Sequence, residues 1–504
     1  MSRALGVDDD PSMSRRPELI LAIDGGSQST KVTIFDAVGS IRAQGRAPLR
    51  PYLLTSDGRA VHPDDDLWDS LCAATRAAMS DLHQQGIADP TDIIAIGLCS
   101  IRYCRALMDA SGRLVEPVLS WMDTRVSEPA RDLDASVSTI ASAAGYLTVR
   151  LTGQRRDSAA AYKGMWPIND AGMAWSGDPA DFDRTGMPAM LLPELVAPGS
   201  QLGEVTAVAA HATRLPVGCP VFATANDKAV EALGVGLSAA FDRSAGAGQQ
   251  TVLLSLGTYI ASMTADRAST VHPASGGPHT WVNSSAVPGE VLLESKGIRR
   301  GMWTVSWLRN LLTSAPGTKD LPGTQAWLEQ GAREIPPGSE GLFVVPDFLA
   351  GPDGPERRGS ILGLAGQHGP HHLHRAVLEG IVLTMRGHTR ALIEALDLQS
   401  AHVVVAGGGA QSDLMMQLVA DSWGMTAIRA GMPDAAGLGS AVCACVGVGV
   451  HPDFPAAIAA MVRLGRAFTP DAIATGRYAQ VAEVFGSLTD FTDPMYRYIH
   501  AAQP

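Results

Sequence analysis

Residues 19–23, Leu-Ile-Leu-Ala-Ile, form an unbroken apolar run that ends in Asp24-Gly-Gly-Ser-Gln-Ser-Thr-Lys31, and a second apolar run follows at 32–35. Short apolar runs on either side of turn residues predict a buried strand, a glycine turn and a returning strand. A strand–turn–strand layout is not the strand–turn–helix of the common phosphate loops. The segment lacks G-x-x-x-x-G-K-[ST], which excludes a P-loop. No G-x-G-x-x-G opens a helix either, which weakens a dinucleotide-binding reading. The same layout returns at 251–264, where a strand-like run to Leu256 turns at Gly257-Thr258 into another from Tyr259. An internal duplication would explain this echo half a chain away. With 504 residues, more than one hydrophobic core usually supports, the chain is expected to form two large α/β domains.

Between and after these hairpins the pattern alternates strands with helices. Strands are predicted at 93–98, 105–108, 221–225, 341–346 and 403–406. Helices are predicted at 62–78, from 228 to 234, at 372–396 and at 412–423. The stretch 124–216 gives weak signals. Residues 234–250, rich in Gly, Ala and Ser, are the expected crossing between domains.

Composition narrows the classes of function. The net charge of -12 argues against a general nucleic-acid or anionic-membrane binder, because both favour basic surfaces. Six scattered cysteines without a C-x-x-C pair predict free thiols in a cytoplasmic protein rather than disulfides or a zinc site. No run of about 18 uncharged apolar residues looks like a membrane span. Residues 1–17 lack the apolar centre of a secretory signal and are expected to be a mobile arm.

The eight residues from Asp24 to Lys31 combine one carboxylate, two glycines, three hydroxyls and a cation. Glycines let a backbone approach a ligand closely. Backbone N–H groups around Gly26 and Gln28, with the hydroxyls of Ser27, Ser29 and Thr30 and the charge of Lys31, would suit phosphate oxygens, and Asp24 would suit a hydrated Mg2+. An ordinary hairpin turn explains Asp-Gly-Gly equally well. Asp227, just past an apolar strand, is either a general base at a cleft or a turn or helix-cap residue. Gly407-Gly-Gly409 would admit an adenine ring or phosphate, or would serve only as a tight strand–helix connection. His368, His371, His372 and His374 lack an accompanying ligand pattern and read as a loop and helix entry. Cys443 and Cys445 read as small core residues.

Taken in order, these segments resemble the FGGY family of carbohydrate kinases, within the actin-like ATPase superfamily. Residues 24–31 resemble the family's first phosphate motif, with Ser27 in place of Thr. Trp121-Met-Asp123-Thr-Arg125 is similar to its substrate-side W-x-D-x-R, and Asp227-Lys-Ala-Val-Glu-Ala-Leu-Gly234 to the segment with its catalytic aspartate. Gly257-Thr258 corresponds to the second phosphate motif. Gly359-Ser-Ile-Leu-Gly363 through Glu379 fits the C-terminal signature, and Gly407-Gly408-Gly409 with Ser412-Asp413 resembles the adenosine motif.

The resemblance implies two ribonuclease-H-like domains flanking a central cleft, here 18–245 for the sugar and 246–504 for ATP. It implies phosphorylation of a small sugar or polyol (pentulose, ketose or alditol), with ATP and Mg2+ and with Asp227 as general base. Arg102, Tyr103, Trp121, Asp123, Lys228, Glu294 and Arg299 are the expected substrate-side residues. Gly408, Gly409, Ser412 and Asp413 would face the nucleotide.

Departures keep the acceptor open. Ser100-Ile-Arg102-Tyr103 matches neither the Met-His pair of xylulose kinases nor the Arg-Glu pair of glycerol kinases, and Lys228 stands where Gln is common. The cations Arg102, Lys228 and Arg299 would suit an acidic substrate, or else pair with ATP phosphates and neighbouring carboxylates. A glycerol kinase, or a non-catalytic sensor on the same fold, are the other readings. No nucleic-acid or membrane partner is expected, and a homodimer is left open.

Overall fold

A computed structural model describes residues 18–86, 89–169, 173–239, 251–269, 280–313, 323–349, 351, 354–399 and 402–502. The expected arm at 1–17 and the residues around the proposed boundary at 245 lie outside the described residues.

Two sheets organise the molecule. The first has six strands in the order Gln201–Glu204, Pro220–Asn226, Ile93–Ser100, Leu19–Gly25, Ser29–Asp36, Ile41–Pro48. Its central strand, Leu19–Gly25, is buried along its whole length, pairs antiparallel with Ser29–Asp36 and lies parallel to Ile93–Ser100. Unbroken apolar sequence is what a strand covered on both faces requires. The second sheet has seven strands in the order Thr280–Ser284, Glu290–Ser295, Ile260–Arg267, Val252–Leu256, His402–Ala406, Thr426–Ala430, Leu464–Phe468. Val252–Leu256 repeats the central role, antiparallel to Ile260–Arg267 and parallel to His402–Ala406. Apart from the additional edge strand Thr280–Ser284, the two sheets have the same order and the same sequence of parallel and antiparallel pairings. The echo in the sequence is a duplicated topology.

The predicted helices form with shifted ends. The one expected from residue 62 begins four residues later as Asp66–Gln85, after a turn in which the Asp66 N–H donates to the Pro63 carbonyl. Its Asp66 and Asp69 complement the helix dipole, Leu67, Leu71, Ala74, Ala78 and Leu82 face the core, and Gly86 closes it at φ 63°. The helix expected from 372 starts at Pro370, whose missing N–H costs nothing in a first turn. The weakly patterned middle is built of short elements, among which Ala143–Thr152 is capped by Ser142.

The helix Ala435–Val448 ties the lobes together. Although it follows the second sheet's strand Thr426–Ala430, it packs on the first sheet and on the helix Asp227–Gly234. A Cβ on Gly234 would lie 1.8 Å from the Ala435 carbonyl oxygen, and one on Gly439 would lie 1.9 Å from that of Val230. Only glycine allows the two backbones this close. Cys443 and Cys445 sit in this helix, buried in a core that draws on both sheets, as small core residues should. Among the described residues, no helix is long and apolar enough to cross a membrane.

Candidate active site

The two glycine hairpins face each other across a cleft of about 1270 Å³ between the lobes. From the first lobe, Asp24, Gly26, Ser27, Gln28, Ser29 and Lys31 line it; from the second, Gly257 and Thr258 do. The Gln28 amide donates to the Thr258 hydroxyl at 3.4 Å, so the hairpins touch. Arg46 donates to the Ser29 hydroxyl at 3.0 Å. Arg102, Tyr103, Trp121, Asp227, Lys228, Glu294, Arg299 and Gly408 complete the predicted residues that reach the cleft.

Asp24 ends the central strand and is buried. Burial pushes its carboxyl up to about 6; Lys31 pulls it down again, while Asp434 and Asp227 add to the rise. The Lys31 ammonium lies 3.4 Å from Asp24 and 3.5 Å from Asp434, whose other oxygen accepts from Thr33 at 2.8 Å. Asp434 is a cleft residue that sequence reasoning missed. It precedes the helix Ala435–Val448 in the cap position, yet its side chain makes no cap bond. A short acidic residue before a run of small residues looks like an ordinary helix start, so only the fold reveals its direction.

Asp227 opens the helix Asp227–Gly234 where the strand Pro220–Asn226 ends. The capping role suspected of it belongs to Asn226, whose side chain accepts from the Ala229 N–H at 3.1 Å. Asp227 is therefore left to face the cleft, and its buried Oδ1 has no hydrogen-bond partner among the described residues. A buried, unpaired carboxylate oxygen is costly unless a ligand supplies its partner.

The two neighbouring cations are matched. Arg102 donates to both oxygens of Glu294, at 2.9 and 3.0 Å, across the cleft. Lys228 donates to Glu231 at 2.9 Å and to the Ser255 hydroxyl at 2.6 Å, and Ser255 itself bonds Glu231. Glu231 and Ser255 were also missed: Glu231 stands within the segment 227–234, of which only Asp227 and Lys228 were singled out, and Ser255 sits inside an otherwise apolar strand.

Four expected contacts do not reach the cleft. Asp123 is buried with its oxygens taken by Arg125 and the Ala60 N–H, so it holds the turn that carries Trp121. Ser412 caps its helix by accepting from the Met415 N–H at 3.1 Å. Asp413 pairs with Arg429 and Arg466 on the outer side. Gly409 packs under Leu256 and Met302, where a Cβ would lie 2.8 Å from each. Gly407 and Gly408 do line the cleft, and Gly407, at φ 87°, sits where a Cβ would come within 2.7 Å of the Leu256 carbonyl oxygen. Trp303 and Trp307, 6.4 Å apart and nearly parallel, line the cleft on the helix that also carries Met302.

Among the described residues no three His, Cys, Asp or Glu side chains are grouped so as to hold an ion. His368 and His372 accept backbone N–H groups at the helix entry. Burial drives His374 down to about 4.

Comparison with known proteins places this geometry. Models of the N-terminal and C-terminal domains of the FGGY family of carbohydrate kinases match residues 19–143 and 252–448. The chain is 39% identical over 479 residues to an uncharacterized sugar kinase, YgcE, of Escherichia coli, covering 94% of both. It is 23% identical to a xylulose kinase of Lactococcus lactis, covering 92% of this chain and 95% of the relative. Among solved structures, the xylulose kinase from Rhodospirillum rubrum superposes with a TM-score of 0.75 at 22% identity, covering 95% of this chain and all of that one. The gluconate kinase from Lactobacillus acidophilus gives 0.77 at 18%, covering 95% and 99%. With both lobes matched and a relative aligned along nearly its whole length, the chain belongs to the FGGY family of carbohydrate kinases and is a phosphotransferase with the two-domain actin-like ATPase fold.

Proposed function

We propose that this kinase transfers the γ-phosphoryl group of ATP to a hydroxyl of a pentulose, a related ketose or an alditol, with Asp227 as general base. The observation that carries the reading is the buried, unpartnered Asp227 Oδ1 beside the facing glycine hairpins. A substrate hydroxyl supplies the missing donor, and its proton passes to Asp227 as its oxygen attacks phosphorus in line. The hairpin N–H groups, with Lys31, hold the phosphates. Gly407, Gly408, Trp303 and Trp307 also line the cleft, and glycine backbone with flat indole faces suits adenine.

The donor set of Asp24 and Asp434 fits a hydrated Mg2+, which takes one or two carboxylates along with phosphate oxygens. Such an ion neutralises charge on the phosphates when bound. Arg102, Tyr103 and Trp121 mark the acceptor end, which assigns residues 18–245 mainly to the sugar and 246–504 mainly to ATP. The six buried, unpaired cysteines are in keeping with a reducing cytoplasm.

The test is Asp227→Asn in a coupled ADP-release assay over ketoses, alditols and glycerol. Loss of a general base should lower kcat by about 10²–10⁴-fold with the melting temperature retained. A folded variant with near-normal turnover overturns the assignment. Glycerol as the best acceptor would make the chain a glycerol kinase instead, and no turnover across the panel would favour a non-catalytic sensor.

A further inference from the structure

The acceptor end of the cleft contains a charge pair assembled from both lobes. Arg102 lies just past the strand Ile93–Ser100 of the first sheet, and Glu294 lies on the strand Glu290–Ser295 of the second. Their side chains are 14% and 4% exposed, although both line the cleft. The guanidinium presents its forked edge to both carboxylate oxygens, and Asn283 donates a further hydrogen bond to Glu294. The rings of Tyr103 and Tyr259 hold Arg102 from either lobe, 5.3 and 5.6 Å from its centre. Position, planarity and charge are all fixed.

We infer that Glu294 determines the class of acceptor: by occupying the fork of Arg102, it reserves the cleft for uncharged ketoses and alditols and rejects sugar acids. The inference rests on the kinase reading above and deepens it. A carboxylate on the acceptor would seek the same bidentate edge that Glu294 already fills, because that is the geometry in which a guanidinium binds carboxylates best. It would also bring a second negative charge against a desolvated one. Lys228, the other cation next to Asp227, offers no substitute, since Glu231 and Ser255 already hold it. An uncharged polyol meets neither obstacle, because hydroxyls need only single donors and acceptors. Specificity of this kind arises from what the site repels as much as from what it attracts.

The experiment compares kcat/KM for D-xylulose, xylitol and gluconate in the wild type, in Glu294→Gln and in the double variant Arg102→Gln/Glu294→Gln. The wild type is expected to prefer its better neutral acceptor over gluconate by at least about 100-fold. Glu294→Gln frees the fork and should narrow that ratio at least tenfold, and the double variant should lose the gain because Arg102 is gone. Wild-type transfer to gluconate as fast as to the neutral acceptors overturns the inference while leaving the kinase reading intact, and this arm does not depend on any variant folding. A folded Glu294→Gln with an unchanged ratio overturns it too, as does a gain that persists without Arg102. Transfer to none of the three overturns the proposed acceptor class and this inference with it.

Discussion

Residues at the ends of central strands were the most legible, because a carboxylate after an unbroken apolar run has few places to go but the cleft. Asp24 was found that way, and Asp227 from its place just past a buried strand. Asp123, Ser412 and Asp413 were overread: they belong to motif-like stretches, but Asp123 and Ser412 hold a turn and a helix start, and Asp413 is taken by Arg429 and Arg466 of neighbouring strands. Asp434 shows the converse, hidden at the head of a run of small residues. The Asp24 carboxyl makes a prediction about pH. Its folded value of about 6 lies above the ordinary 3.8, so between these values the folded chain holds more of this proton than the unfolded chain. Stability from this group is therefore lost as pH rises from about 4 to 6, by up to about 3 kcal/mol for a two-unit shift. Asp24→Asn mimics the protonated form. In urea titrations its stability relative to wild type should improve between pH 4 and pH 7, and a constant difference would refute the cause given. Binding of Mg·ADP by wild type, read by calorimetry, should weaken below about pH 6 as Asp24 takes up its proton.

Secondary elements could be read where burial imposes a period. The strands Leu19–Gly25 and Val252–Leu256 announce themselves as apolar runs, and the helix Asp66–Gln85 as an apolar stripe. The helix Ala472–Ala501 was not singled out, because among its thirty residues only Tyr478, Thr492 and Tyr496 are buried and no regular stripe forms. The helix Ala435–Val448 was visible only as a run of small residues; its contact with Asp227–Gly234 depends on glycines far apart in sequence. That contact links two carboxylates of the site, since Asp227 heads one helix and Asp434 precedes the other. Gly439→Ala would set a methyl group 1.9 Å from the Val230 carbonyl oxygen and 3.0 Å from the Gly234 nitrogen, where only backbone movement gives relief. Overpacking of this kind costs about 1–3 kcal/mol. The helices should part slightly, so kcat should fall even at temperatures where the variant stays folded. Chemical denaturation and steady-state kinetics together check this, and a variant with lower stability but unchanged kcat would show that the helix contact does not position the site.

At the scale of the whole molecule, the duplicated sheets suggest two independent lobes, and length alone would support that expectation. The packing argues otherwise. One buried core joins Ile20, Ala22 and Phe222 of the first sheet to Leu253, Met263 and Val404 of the second through the helices Asp227–Gly234 and Ala435–Val448. Polar contacts also join the two lobes, among them those from Gln28 to Thr258, from Arg102 to Glu294, from Lys228 to Ser255 and from Lys31 and Thr33 to Asp434. Pulling the lobes apart would expose apolar surface at about 25 cal/mol per Å², so a state with one lobe folded and the other unfolded gives up much of its own core. Neither the shared core nor the crossings could be read from the sequence, because each joins residues brought together only after both sheets form. The expected result is a single unfolding transition despite two lobes. Fluorescence of variants that retain either Trp68 in the first lobe or Trp307 in the second should give coincident midpoints in urea, matching the loss of far-ultraviolet circular dichroism. Two resolved transitions would mean that the lobes fold separately and that the helix pair is a hinge lying between cores.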